Sequence, residues 1–236
     1  MSQLTVDLNL VQKYNVAGPR YTSYPPATRF TGEIGWPQLA EELIANNREP
    51  RDLSLYFHIP FCQSLCWYCG CNTVITKDQT KSAVYLNYLA KQIRQMRSVL
   101  HPKRKVRQLH FGGGTPTYLA PDQILALGGQ IASNFNLDEH MEAGVEIDPR
   151  RLTRKHLNAL RMIGFNRVSL GVQDFDPKVQ EAIHRIQPRE MTELALHWVR
   201  DAGFQSVNID LIYGLPHQTS ASFEKTLDDV LRLSPD

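Results

Sequence analysis

The sequence predicts an α/β fold on a parallel sheet, either doubly wound or a (β/α) barrel. Short apolar or β-branched runs recur from residue 53 onward, and stretches with helical spacing fall between them. The most chemically active residues stand at the C-terminal ends of successive runs, in "HIPFC", "GGGTPT", "EIDP", "VQDF" and "DLIYGLP". Barrel enzymes build their sites at that rim, so the third observation favours the barrel.

Residues 1–50 read as an N-terminal arm and a short helix. Residues 1–35 are rich in turn formers and read as irregular, and "WPQLAEELIANN" (36–47) reads as a helix with Pro in its first turn. Residues 51–236 read as an incomplete barrel of about five βα units. Its strands are "LSLYFHI" (53–59), "VRQLHFG" (106–112), "AGVEID" (143–148), "RVSLGVQ" (167–173) and "SVNIDLIYG" (206–214).

The intervening helices show one apolar stripe each. Tyr85, Leu89, Ile93, Met96 and Leu100 form the first, and Ile124, Leu127, Ile131 and Phe135 the second. Leu157, Leu160 and Ile163 follow, then Val179, Ile183 and Ile186 within "DPKVQEAIHRIQ". "MTELALHWVRDAGF" and "SASFEKTLDDVLRL" close the series. Such stripes read as core packing. A full barrel takes about 250 residues, and this chain ends at "LRLSPD" after a helix. It is therefore expected to be the front part of a longer protein, with its last strand an unpaired edge.

Composition narrows the function. A net charge of +2, with 42% hydrophobic and 21% charged residues, describes an ordinary globular protein and implies no polyanionic partner. "PKRKVR" (102–107) lacks interleaved aromatics and reads as a solvated turn, so no nucleic-acid partner is expected. Neither a signal peptide nor an apolar run long enough for a membrane span is present, so a cytoplasmic location is expected. In that reducing compartment, clustered cysteines bind metal or do redox work more often than they form disulfides.

All four cysteines lie in "HIPFCQSLCWYCGCN" (58–72), spaced C-x3-C-x2-C-x-C. Structural zinc sites use two separated ligand pairs, and no second pair exists here. Dense thiolates on one loop suit an iron–sulfur cluster. Spacing leaves the ligand number open: three ligands to a [4Fe-4S] cluster leave one iron free to bind a small molecule, whereas four restrict it to electron transfer.

"CQSLCWYC" resembles the C-x3-C-x-φ-C signature of the radical S-adenosylmethionine superfamily, with Tyr68 as the aromatic φ. "GGGTP" (112–116) resembles its methionine-binding motif. With "GPRYTSYP", "LYFHIPFC", "HFGGGTPTYL", "VEIDPR", "GFNRVSLGVQDF" and "NIDLIYGLPHQT", the chain from about residue 8 onward resembles the oxygen-independent coproporphyrinogen III dehydrogenase family, over its N-terminal half. A haem-trafficking branch shares the three-cysteine motif but generally lacks the fourth cysteine and the "RYTSYP" arm, both present here.

The resemblance implies a partial barrel of the radical-SAM type, with Cys62, Cys66 and Cys69 holding a [4Fe-4S] cluster. Tyr56, Gly113 and Glu146 match positions for one S-adenosylmethionine. Tyr68, Gly114, Thr115, Gln173, Arg185 and Asp210 match positions for a second. Cys71 is then not a ligand; with Tyr56 it is the catalytic candidate, as a thiol near the cluster.

In residue terms, the run Gly112–Gly114 permits positive φ and would leave N–H groups free for a carboxylate. Glu146 and Asp210 end strands and could accept from an amine or a ribose hydroxyl. Arg185 falls in the helical stripe beside Ile183 and Ile186, and His58 stands between strand packing and a role in the site.

The implied reaction converts two propionates of coproporphyrinogen III to vinyl groups, giving protoporphyrinogen IX for haem synthesis, by way of a 5′-deoxyadenosyl radical. A low-potential donor such as flavodoxin or ferredoxin and a monomeric state are expected. Arg20 is the candidate clamp for a substrate carboxylate.

Overall fold

The computed structural model describes residues 7–16 and 26–236. It divides into two compact units, Met1–Glu42 and Leu43–Asp236. Arg20, the expected carboxylate clamp, lies outside the described residues. The first unit corrects the expectation of an irregular arm, because a helix, α1 (Leu8–Tyr14), forms there. Asp7 caps it, its Oδ1 accepting the N–H groups of Asn9 and Leu10 at 2.9 and 3.2 Å. Helix α2 (Trp36–Ala45) forms as the sequence predicts.

The second unit carries strands β1 (Leu53–Ile59), β2 (Phe61–Cys62), β3 (Val74–Ile75), β4 (Lys105–Gly113), β5 (Asn136–Ile147), β6 (Arg167–Gln173) and β7 (Ser206–Leu211). Helices α3 (Thr80–Val99), α4 (Pro121–Asn134), α5 (Arg154–Met162), α6 (Pro177–Ala182), α7 (Arg189–Asp201) and α8 (Ser220–Leu233) connect or follow them. Strands β1, β4, β5, β6 and β7 form one parallel sheet in that order. This is the five-strand parallel α/β architecture read from the sequence, with β1 and β7 at its edges. Among the described residues, no helix is long and apolar enough to cross a membrane.

The strands alternate sharply between their two faces. Phe57, Ile59, Leu109, Phe111, Val145, Val168 and Leu170 point one way and are buried. They pack with Leu89 and Ile93 of α3, Ile124 and Ile131 of α4, Leu157 of α5 and Val199 of α7. The intervening positions, Tyr56, His58, His110, Glu146, Ser169 and Asp210, point the other way and are polar. None of these six is fully buried. A closed parallel sheet would cover both faces with apolar side chains; this one keeps a polar face for chemistry.

Beyond shifts of one or two residues, three differences from the sequence reading stand out. Strand β5 begins at Asn136, seven residues before the expected start at residue 143. Its first half, "NLDEHMEA", is too polar to read as a strand. Asp138 holds it in place by accepting from Lys105 and Arg107 of β4, both at 3.0 Å. Strand β7 ends at Leu211, short of the expected 214.

The stripe across Val179, Ile183 and Ile186 does not belong to one helix. Helix α6 stops at Ala182, His184 takes a left-handed φ of 56°, and Ile186 is exposed. The cause is tertiary. The Ile183 carbonyl accepts the Trp67 N–H at 3.0 Å, and His184 Nδ1 donates to the Leu65 carbonyl at 2.8 Å. The turn after α6 is thus folded against the cysteine loop. Arg185 sits in that turn and not in a helix.

Candidate functional site

The cysteine loop is built as a pinned arch. A two-residue parallel ladder pairs Phe61 with Val74 and Cys62 with Ile75, closing the loop at its base. Val74 N–H donates to the Pro60 carbonyl at 2.6 Å and Thr76 N–H to the Cys62 carbonyl at 2.9 Å. Within the arch, Cys69 N–H donates to the Cys66 carbonyl at 3.0 Å, a tight turn that brings two cysteines round. Cys66 is buried, Cys62 and Cys69 are half-buried, and Cys71 is exposed.

All four cysteines line one cavity of about 170 Å³. Of the other residues singled out in the sequence, Tyr68, Gly113, Gly114, Thr115, Glu146, Gln173, Arg185 and Asp210 line it too. Tyr56 does not line it. Tyr56 stands one strand away, its ring stacked on His110 with centroids 5.9 Å apart. His110 Nε2 in turn lies 3.3 Å from Glu146 Oε1, so Tyr56 joins the site through His110.

Strand β4 reaches the loop because it ends in glycine. Gly113 has φ +115°, and a Cβ there would come within 2.7 Å of the His58 ring. At Gly114 a Cβ would fall 2.8 Å from the Phe61 carbonyl oxygen, so only glycine lets the two backbones meet. The expectation of free glycine N–H groups is corrected here. Gly113 N–H donates to Glu146 Oε2 at 3.2 Å and Gly114 N–H to the Ile59 carbonyl at 2.9 Å. The turn spends these donors on holding itself and Glu146.

The strand-end residues are held by specific partners. The His110 hydrogen bond keeps the Glu146 carboxyl below its ordinary range, burial opposes it, and Gly113 N–H adds to the lowering. Asp210 accepts from Ser169 Oγ at 2.6 Å and Asn208 Nδ2 at 2.7 Å. Gln173 is buried at φ +70°, a conformation that costs a non-glycine residue about 1–3 kcal/mol. Such strain marks functional positions, and Gln173 lies on the cavity wall.

Near the thiols, burial pushes Cys62 above its usual value against the hydrogen bond from Thr115, whose Oγ1 is 3.5 Å away. Burial likewise pushes the Tyr68 phenol well up, although the Arg185 charge opposes it. His58 is not merely packed. Its Nε2 donates to the Asn72 carbonyl at 2.8 Å, which leaves Nδ1 to accept from the Tyr56 hydroxyl at 3.1 Å. His58 thus ties Tyr56 to the end of the cysteine loop.

Sequence reasoning missed His110, Asp148 and Arg150. Asp148 and Arg150 line the same cavity, and both sit in "VEIDPR". The motif itself was their only sequence signal. His110 likewise opens the motif "HFGGGTPTYL" and stands on the polar side of the strand alternation.

Two features suit a thiolate-held cluster and a charged organic ligand. Arg150 Nη2 and Arg185 Nη1 lie 3.4 and 3.6 Å from Cys66 Sγ, so two guanidinium groups converge on that sulfur. Arg185 is almost fully buried on the cavity wall, and among the described residues its Nε has no hydrogen-bond partner, which leaves a donor for a bound acceptor. Among the described residues, no group of three or more His, Cys, Asp or Glu side chains closes on a single metal ion. Cluster cysteines need not converge on one point, since each holds a different iron.

The sequence signature of the Radical SAM superfamily matches residues 56–230. The chain belongs to that superfamily. Within it, the chain is 48% identical over 236 residues to oxygen-independent coproporphyrinogen III oxidase of Escherichia coli K12, covering 100% of this chain and 51% of that protein. It is 47% identical over 232 residues to the protein of the same name from Pseudomonas aeruginosa, covering 98% of this chain and 50% of the relative. Among solved structures, coproporphyrinogen III oxidase from Escherichia coli, described as a Radical SAM enzyme, superposes with a TM-score of 0.88 at 43% identity. That match covers 100% of this chain and 52% of the solved one. The resemblance read from the sequence falls on these relatives. The chain spans about half the length of the curated relatives it matches.

Proposed function

We propose that the protein oxidatively decarboxylates two propionate side chains of coproporphyrinogen III without oxygen, giving the vinyl groups of protoporphyrinogen IX. Each propionate loses a β-hydrogen atom to a carbon-centred radical, then CO₂, and one electron to an external one-electron acceptor. The observation that carries this reading is the convergence of a pinned three-cysteine arch, a glycine strand end and four strand-end or loop polar residues on one cavity. In it, Cys62, Cys66 and Cys69 hold a [4Fe-4S] cluster with one iron open. Bound there, the cluster and S-adenosylmethionine supply a 5′-deoxyadenosyl radical strong enough to take hydrogen from an unactivated C–H bond.

The chain's own residues bind and orient. Glu146, kept ionised by His110 and aimed by Gly113 N–H, accepts from the amine or ribose hydroxyl of the first S-adenosylmethionine. Gly113 lines that position, and Tyr56 supports it through His110. Arg185 offers its unpartnered Nε to the second molecule, alongside Tyr68, Gly114, Thr115, Gln173 and Asp210. Cys71, exposed at the same cavity, serves the substrate side. A low-potential protein such as flavodoxin or ferredoxin feeds the cluster, and the protein works as a monomer in the cytoplasm.

The test is anaerobic reconstitution, followed by reductant, S-adenosylmethionine and coproporphyrinogen III. The reading expects about four irons per chain, with 5′-deoxyadenosine formed only when substrate is present. Bound zinc without iron would overturn it.

A further inference from the structure

The motif "VEIDPR" contains an arginine that the family reading leaves without a task. Asp148 caps the 3₁₀ turn Pro149–Arg151, accepting the Arg150 backbone N–H at 3.0 Å. The same carboxylate accepts Arg150 Nε at 3.0 Å on each oxygen and Arg150 Nη2 at 2.6 Å. From the other side it accepts Arg185 Nη1 at 3.2 Å. Both guanidinium groups then reach one further atom in common, Cys66 Sγ.

Two cations therefore share one carboxylate in a place largely closed to water. The trio holds one net positive charge, and a buried charge without a counter-charge is costly. Cys66 Sγ, the atom both guanidinium groups reach, is where the negative charge of a cluster ligand would meet it. Arg185 also donates Nη2 to the Gly171 carbonyl at 2.7 Å, which gives it a structural use. Among the described residues, the Arg150 side chain hydrogen-bonds only Asp148 and the sulfur.

We infer that Arg150, clamped by Asp148, sets the reduction potential of the cluster through the Cys66 sulfur. This rests on the proposal that Cys66 is a cluster ligand. An added electron makes the ligand sulfurs more negative. A fixed cation donating to one of them stabilises the reduced form and raises the potential. Asp148 acts in the opposite sense, since its charge offsets the two arginines. The potential is the balance of the trio, and the rigid turn after Pro149 fixes that balance in place.

The experiment is the midpoint potential of the anaerobically reconstituted protein, reduced stepwise and followed by electron paramagnetic resonance, with iron and sulfide counted in each variant. Arg150→Met removes the charge and the donor but keeps an apolar stem; its midpoint should move to more negative values with iron content unchanged. Asp148→Asn should move the midpoint the other way, and Arg150→Lys, which keeps the charge, should fall between Arg150→Met and wild type. An unchanged midpoint in fully loaded Arg150→Met, or shifts of one sign in Arg150→Met and Asp148→Asn, would overturn the inference. Loss of iron from Arg150→Met would also overturn it, by making Arg150 a brace for the loop. A wild-type protein that binds no cluster fails earlier, on the Cys66 assignment itself.

Discussion

The two faces of the sheet are made from the same strands and do opposite work. On one face, Phe111 of β4 is 1% exposed, its ring 4.6 Å from Phe165 and 5.5 Å from Phe57, centroid to centroid. On the other, its neighbour in sequence, His110, stacks on Tyr56 and meets Glu146. One residue of register separates a side chain that holds the fold from one that builds the site. The difference teaches that the apolar face supplies stability by packing, while the polar face gives up packing to keep hydrogen-bonding groups aimed at the cavity.

That contrast can be broken by substitution, and the largest effect belongs to the apolar face. Phe111→Ala should cost about 3–5 kcal/mol of folding stability in urea unfolding, by lost burial and the void left behind. A loss below about 1 kcal/mol would mean that the helix-packed face does not carry the fold. Glu146→Gln makes the reverse case. Stability should change by less than about 1 kcal/mol, while S-adenosylmethionine binding by calorimetry should weaken about 10–100-fold, the worth of one hydrogen bond to a charged group. Equal effects on stability and binding would erase the distinction between the faces.

Cys71→Ser sharpens the comparison at the cysteine arch. Iron content and unfolding midpoint should stay at wild-type values while turnover falls. Loss of iron would show that the ligand set was assigned wrongly. The smallest effect is a pH dependence. Glu146 is held below its ordinary value, first by the His110 hydrogen bond, so it adds stability above the unfolded carboxylate pKa. That contribution disappears as the pH falls through the lower, folded value. Unfolding followed from neutral to acid pH should show this loss in wild type and a smaller slope in Glu146→Gln.

Much of this arrangement was legible in the residues. The cysteine spacing and the odd residues at successive strand ends pointed to the rim where the shared cavity lies, since a parallel sheet delivers all its C-terminal ends to one rim. The helical stripes gave the packing face for the same reason. What stayed hidden depends on tertiary contact. "DPKVQEAIHRIQ" has helical spacing to its end, yet the cysteine loop captures the turn at Ile183 and His184 and moves Arg185 off the helix. The first half of β5 is a strand because Lys105 and Arg107 neutralise Asp138 across the sheet, which no local propensity reveals. The glycine N–H groups looked free because the sequence does not say that Glu146 and Ile59 claim them. Arg150 was not singled out because its contact with Cys66 joins residues 84 positions apart, which no local pattern reveals.

The proposed function stands on three cysteines holding the cluster and leaving one iron open at the cavity. The most direct measurement is the electron paramagnetic resonance spectrum of the reconstituted, reduced protein before and after S-adenosylmethionine is added. The cluster signal should change on addition, because the ligand would bind the open iron. A cluster signal that stays identical at saturating S-adenosylmethionine would contradict it.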